Sequence, residues 1–191
     1  MAYKLETARI LIVDDMVPML ALTKSILNIF GFKQVFTASN GEEALGLVIR
    51  HDPDLILTDW MMEPMDGLEF TKNVRRDTRV PNPYVPIIMM TGFSSRLRVE
   101  NARDTGVTEF LVKPFSSRDL YNRIVQIIEK PRQFVEAGEF FGPDRRRKRG
   151  EDYSGPRRRG NDEKQKSEQG TQEQRLAVDV LRELRDKAKK V

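Results

Sequence analysis

Four short apolar runs, each closed by a residue that phosphate chemistry can use, constrain this chain more than anything else in it. Ile10-Leu11-Ile12-Val13 runs into Asp14-Asp15, and Leu55-Ile56-Leu57-Thr58 into Asp59. Ile87-Ile88-Met89-Met90 runs into Thr91, and Phe110-Leu111-Val112 into Lys113-Pro114. Runs of this length and make-up, separated by helical stretches, read as buried parallel strands. In an open α/β sheet the functional crevice lies beyond the carboxyl ends of the strands. Three carboxylates, a hydroxyl and a lysine are therefore expected to meet in one place.

The punctuation between the runs supports the alternation. Pro18 sits early in a helix that Gly31 stops near Phe30, and a further strand is expected at 35–38. Ser39-Asn40-Gly41-Glu42-Glu43 offers an N-cap with acids in the first turn of a helix to about Arg50. Helices are also expected near 67–76, near 95–104 (closed by Gly106) and from Ser117 to Glu129, where Pro131 ends the pattern. Five β-α units make a doubly wound parallel α/β sheet with helices on both faces. The chain is expected to divide into 7–130, 131–172 and 173–191.

Charge follows that division. Residues 1–130 carry 16 Lys and Arg against 17 Asp and Glu, whereas 131–191 carry 17 against 12. The basic character of the chain lives in its tail. Residues 142–172 hold almost no large aliphatic side chain and cannot bury enough surface to offset their ordering entropy, so 131–172 is expected to be a basic, mostly disordered linker. It contains an internal echo, Gly142-Pro143-Asp144-Arg145-Arg146-Arg147 and Gly155-Pro156-Arg157-Arg158-Arg159. Leu176, Val180 and Leu184 then restore helical period, giving an amphipathic C-terminal helix over 173–191 that needs a partner surface or a dimer mate. Phe134, Phe140 and Phe141 read as side chains that pack the tail on the domain, with a docking motif as the alternative. The absence of Cys excludes disulfides and thiol chemistry. No stretch approaches the roughly 20 apolar residues of a membrane span, and the N-terminus has no signal-peptide pattern, so a cytoplasmic location is expected.

Asp14, Asp15 and Asp59 brought within a few ångströms repel one another, and either protonation or a divalent cation must relieve the repulsion. Oxygen-only ligands in a wet crevice favour Mg²⁺. A lysine opposite the acids supplies a point charge for a phosphoryl oxygen, and a carboxylate can itself be the nucleophile, giving an acyl phosphate.

Asp14-Asp15, Asp59, Thr91 and Lys113-Pro114, with Met62, Met65, Asp66 and Gly67 in the loop after the third strand, resemble the receiver domain of two-component response regulators over about residues 8–130. The resemblance implies strand order 2-1-3-4-5 and a phosphorylation-dependent switch. Asp59 would accept a phosphoryl group from a histidine kinase or histidine phosphotransfer protein. Asp14, Asp15, Asp59 and the backbone carbonyl of Met61 would hold Mg²⁺, Asp14 partly through water. Lys113 would pair with the phosphoryl oxygens, helped by the Trp60 and Gly92 amides, and a cis Lys113-Pro114 peptide would aim it. Thr91 and Phe110 would carry the switch to a protein target at the face made by the helices at 95–104 and 117–129 with the strand at 109–112. Such a chain is not an enzyme beyond its own phosphorylation and dephosphorylation.

The chain departs from the family at Glu63, where a proline is usual, with Pro64 one place later. Met61 and Phe93 stand where polar side chains often orient the hydrolytic water, which implies slow self-dephosphorylation. Taken singly, Asp14-Asp15 reads as a helix cap, Asp59 as a loop residue and His51 as a charge partner for a helix end. The aspartate-nucleophile hydrolases usually carry two aspartates around one residue, which Val13-Asp14-Asp15-Met16 lacks. A stand-alone receiver with protein–protein output is the leading reading. The alternative, a regulator that binds nucleic acid through 145–159, would weaken steeply with salt.

Overall fold

The computed structural model describes residues 5–92, 105–137 and 140–144. In chain order the elements are β1 (Arg9–Val13), α1 (Val17–Ile29), β2 (Gln34–Ala38), α2 (Gly41–His51), β3 (Leu55–Asp59), α3 (Gly67–Arg76), β4 (Ile87–Thr91) and β5 (Glu109–Val112). Then follow α4 (Ser117–Glu129), β6 (Phe134–Ala137) and β7 (Phe140–Pro143). Five parallel strands lie in the order β2-β1-β3-β4-β5, the order that the resemblance implies. The expected helix at 95–104 and everything expected beyond Asp144, including the C-terminal helix, lie outside the described residues.

Period-two alternation in the central strands divides the core between two faces. Ile10, Ile12, Leu55, Leu57, Ile88, Met90 and Leu111 point to the side covered by α1 and α4, where they meet Leu27, Leu120 and Ile124. Leu11, Val13, Ile56 and Ile87 point to the other, against Ala44 and Val48 of α2 and Phe70 and Val74 of α3. Strands buried on both faces need continuous apolar runs, which is why the pattern was legible.

The helix starts are chemically marked. The Asn40 side chain accepts from the Glu43 amide at 2.9 Å, and the Asp66 side chain from the Glu69 amide at 2.7 Å. Ser116 and Asp119 cap one another reciprocally at the start of α4. α1 differs: its N-cap is Met16, with no side-chain hydrogen bond, and Pro18 near its start supplies the preset φ.

One expectation is corrected. The segment from 131 is not a linker throughout, because β6 and β7 form an antiparallel hairpin in the described part of it. Its aromatics find a seat: Phe134 and Phe141 stand 5.3 and 5.2 Å, centroid to centroid, from the ring of Tyr84, in the loop before β4. Arg132 donates to the Glu109 carboxylate at 2.6 Å. Low aliphatic content across the tail concealed a short segment whose burial is aromatic. Its sequence signal was a glycine, Gly138, between two β-prone runs.

Candidate phosphoacceptor crevice

Each expected site residue sits at the carboxyl end of a strand or in the turn just after it. β1 delivers Asp14 and Asp15, and β3 ends on Asp59. β4 ends on Thr91, which is 1% exposed, and β5 hands over directly to Lys113. The Lys113 amide donates to the Thr91 carbonyl at 2.7 Å, so the parallel ladder continues into the lysine. The Lys113–Pro114 peptide is cis, as the resemblance implies.

The lysine ammonium bridges two acids. Nζ lies 2.8 Å from Asp14 Oδ2 and 2.9 Å from Asp59 Oδ1. Asp14 is fully buried, and its other oxygen accepts from the Met16 amide at 2.9 Å. In place of the helix cap that an isolated Asp pair suggests, Asp14 closes the β1–α1 turn and holds Lys113. Asp15 is exposed, and one carboxylate oxygen from each of Asp14, Asp15 and Asp59 lies within 4.8 Å of the others. This all-oxygen donor set, partly open to water, fits a hard divalent cation.

Burial is the largest influence on Asp59 and pushes its carboxyl above the ordinary value; Lys113 opposes the rise and Asp14 adds to it. Burial also works against the charged Lys113, but its bonds to Asp14 and Asp59 together outweigh it and hold the ammonium above its usual value. A carboxylate slightly reluctant to be charged, beside a firmly charged lysine, is a nucleophile with its counter-charge already placed.

The loop after Asp59 is set by contacts that the motif alone did not explain. The Gly67 amide donates to the Trp60 carbonyl at 2.9 Å, and a Cβ on Gly67 would overlap the Asp59 carbonyl oxygen. Any side chain there would push the acceptor strand off the first turn of α3. Glu63–Pro64 is a second cis peptide, at the place where the sequence departs from the family. Met65 covers Gly41 at the start of α2, where a Cβ would crowd its side chain.

Trp60 is buried against Met89 and Val107, with Leu68 and the half-buried Phe110 packed on the same cluster. Phe110 and the acceptor loop thus share a hydrophobic contact. Met61 and Gly92 are exposed at the rim. Phe93 lies outside the described residues. His51 stacks on Phe36 at 4.2 Å between centroids, away from the crevice, and its carbonyl accepts from Arg9 at 2.7 Å.

Sequence reasoning missed Arg75 and Glu109. Arg75 is 5% exposed at the end of α3 and donates to the carbonyls of Gly106 and Pro83. Burial draws its guanidinium down to about 9, which still leaves it charged at neutral pH. Glu109 is equally buried, with Arg132 and Gln126 as donors. No local pattern distinguishes these two from surface charges; only the tertiary neighbours do.

Comparison with known proteins agrees with this geometry. Residues 10–125 match the response regulator receiver domain. Chemotaxis protein CheY-3 of Vibrio cholerae is 34% identical over 122 residues, which cover 64% of this chain and 92% of that protein. The probable transcriptional regulator ycf27 of Cyanidium caldarium is 35% identical over 121 residues, 46% of its own length. The solved structure of Vibrio cholerae CheY4 superimposes with a TM-score of 0.59 at 32% identity, covering 63% of this chain and 98% of that one. This chain belongs to the response regulator receiver family, with a CheY-like fold and a role in phosphorylation-dependent signalling.

Proposed function

We infer that Asp59 is the phosphoacceptor of a receiver domain fed by a histidine kinase or a histidine phosphotransfer protein. The observation that carries this reading is the Lys113 ammonium lying between Asp14 and Asp59, with three carboxylates converging at the strand ends. An Asp59 oxygen forms a bond to the phosphorus of the donor's phosphohistidine while the P–N bond breaks, and the imidazole leaves with that electron pair. Lys113 follows the phosphoryl oxygens through the transfer, because charge neutralisation and positioning are most of what this chemistry needs. Mg²⁺, held by Asp14, Asp15, Asp59 and the Met61 carbonyl, supplies the further positive charge when bound. The amide of Gly92 adds a donor to the same oxygens, whereas that of Trp60, expected beside it, is taken up by the Met90 carbonyl at 3.0 Å.

Exposed apolar side chains surround the crevice. Met16, Val17, Met61 and Val112 are each roughly half exposed or more. A protein donor has to exclude water from the transfer, and this rim offers it a dry contact; flexible methionines suit such a surface. After transfer, the Thr91 hydroxyl donates to a phosphoryl oxygen and Phe110 turns inward, altering the face of β5 and α4 that a downstream protein reads. The chain acts as a switch, with no turnover beyond its own phosphorylation and dephosphorylation, and in the cytoplasm where such kinases present their phosphohistidines. Among the described residues no helix is long and apolar enough to cross a membrane.

Incubation with acetyl phosphate and Mg²⁺, followed by mass spectrometry of the intact chain and its peptides, tests the assignment. One phosphoryl group on Asp59 is expected, absent from Asp59→Asn and absent in excess chelator. Stoichiometric labelling of Asp59→Asn refutes it.

A further inference from the structure

We propose that the β6–β7 hairpin is a clamp on the switch: it holds β5 in its present position, and phosphorylation of Asp59 loosens it. The inference rests on the reading of Asp59 as acceptor. Two elements that leave the crevice end under the hairpin. α3 begins with Gly67 seated on the Asp59 carbonyl and ends with Arg75, whose guanidinium lies 5.1 Å from the centroid of Phe134. The same guanidinium grips the Gly106 carbonyl at 2.9 and 3.2 Å and the Pro83 carbonyl at 2.7 Å. β5 begins at Glu109, which Arg132 holds at 2.6 Å, and Phe110 follows at once.

Gly106 is caught between these parts. Its φ is +96°, and a Cβ there would lie 3.1 Å from both the Arg75 side chain and the Phe141 carbonyl oxygen. The segment 105–112 is thus pinned at one end by Arg75, Arg132 and the hairpin, while its other end delivers Lys113. These contacts are made in the arrangement where Lys113 bonds the free Asp59 carboxylate and Phe110 stays half-buried. An inward turn of Phe110 draws on the same short strand, so the clamp favours the present arrangement. Whatever favours the other arrangement must weaken the clamp, and weakening the clamp must favour phosphorylation by the same factor.

Hydrogen exchange on the full chain tests this, with beryllium fluoride and Mg²⁺ as the acyl-phosphate mimic. Amides of 134–137 and 141–142 should exchange at least about 5-fold faster with the mimic than with Mg²⁺ alone. Reciprocally, Arg132→Gln and, separately, Phe141→Leu should bind the mimic about 3- to 10-fold more tightly, read from Trp60 fluorescence. Unchanged hairpin exchange while Trp60 reports the mimic bound overturns the clamp and leaves the acceptor reading standing. Failure of the mimic to bind wild type while it binds Asp59→Asn removes both. Equal mimic affinity in wild type and both variants also overturns the clamp.

Discussion

Asp14 has no exposure, and Lys113 is the cation set against it, so this lysine has a structural duty besides any chemical one. Removing one partner of a buried pair leaves the other charge uncompensated, at a cost of about 3 kcal/mol. Lys113→Ala should therefore lose about that much stability in chelator. Mg²⁺ should restore much of it, because a divalent ion among Asp14, Asp15 and Asp59 replaces the missing ammonium. Urea denaturation with and without Mg²⁺ measures the difference, and equal destabilisation in both conditions would contradict this role. Asp59 gives a second residue-scale expectation. Its carboxyl holds a proton more readily in the folded protein than in the unfolded chain, chiefly because of burial. Ionised Asp59 thus costs stability at neutral pH, and the cost fades as pH falls from its raised value through the ordinary carboxylate range. Asp59→Asn should be more stable than wild type at about pH 7 and lose that advantage near pH 4. An advantage that grows on acidification would mean that the opposite shift holds.

At the scale of elements, the hairpin decides where the folded unit ends. Tyr84, Phe134 and Phe141 form one aromatic cluster, and Phe134 also covers the buried guanidinium of Arg75. Truncation after Lys130 strips this cover and leaves buried Glu109 without Arg132. It should cost about 3 kcal/mol, the sum of a lost aromatic contact and a buried carboxylate short of a donor. Truncation after Asp144 should cost little by comparison. Urea midpoints of the two truncated chains against the full chain check this, and equal midpoints would show that the hairpin adds nothing to the body. The hairpin was hard to read because both strands are four residues long and their hydrophobic surface is aromatic. By contrast, the five sheet strands and the helices at 67–76 and 117–129 were legible. Burial is near-continuous in β1, β3 and β4 and periodic in the two helices, and Asp66 and Ser116 mark the helix starts by side-chain caps.

Across the whole molecule, the sequence by itself determined the alternation of strands and helices and the end of each strand at which chemistry gathers. A parallel sheet buried on both faces demands apolar runs, and in such a sheet polar residues that end those runs lie at a common edge. Asp14, Asp15, Asp59, Thr91 and Lys113 are therefore placed together by the sequence pattern alone. Which charges serve the fold was not written locally. Arg75 and Arg76 are neighbours of one type, yet Arg75 is buried and Arg76 is not, and the reason lies in Pro83, in the loop after α3, and in Gly106 and Phe134, brought in from far along the chain. The same holds for Gly67, whose necessity comes from a carbonyl that the β3–α3 turn brings against it. Long-range contact decides such cases, because the free energy of a buried charge or a missing Cβ depends on which atoms surround it, and the tertiary structure alone supplies those atoms.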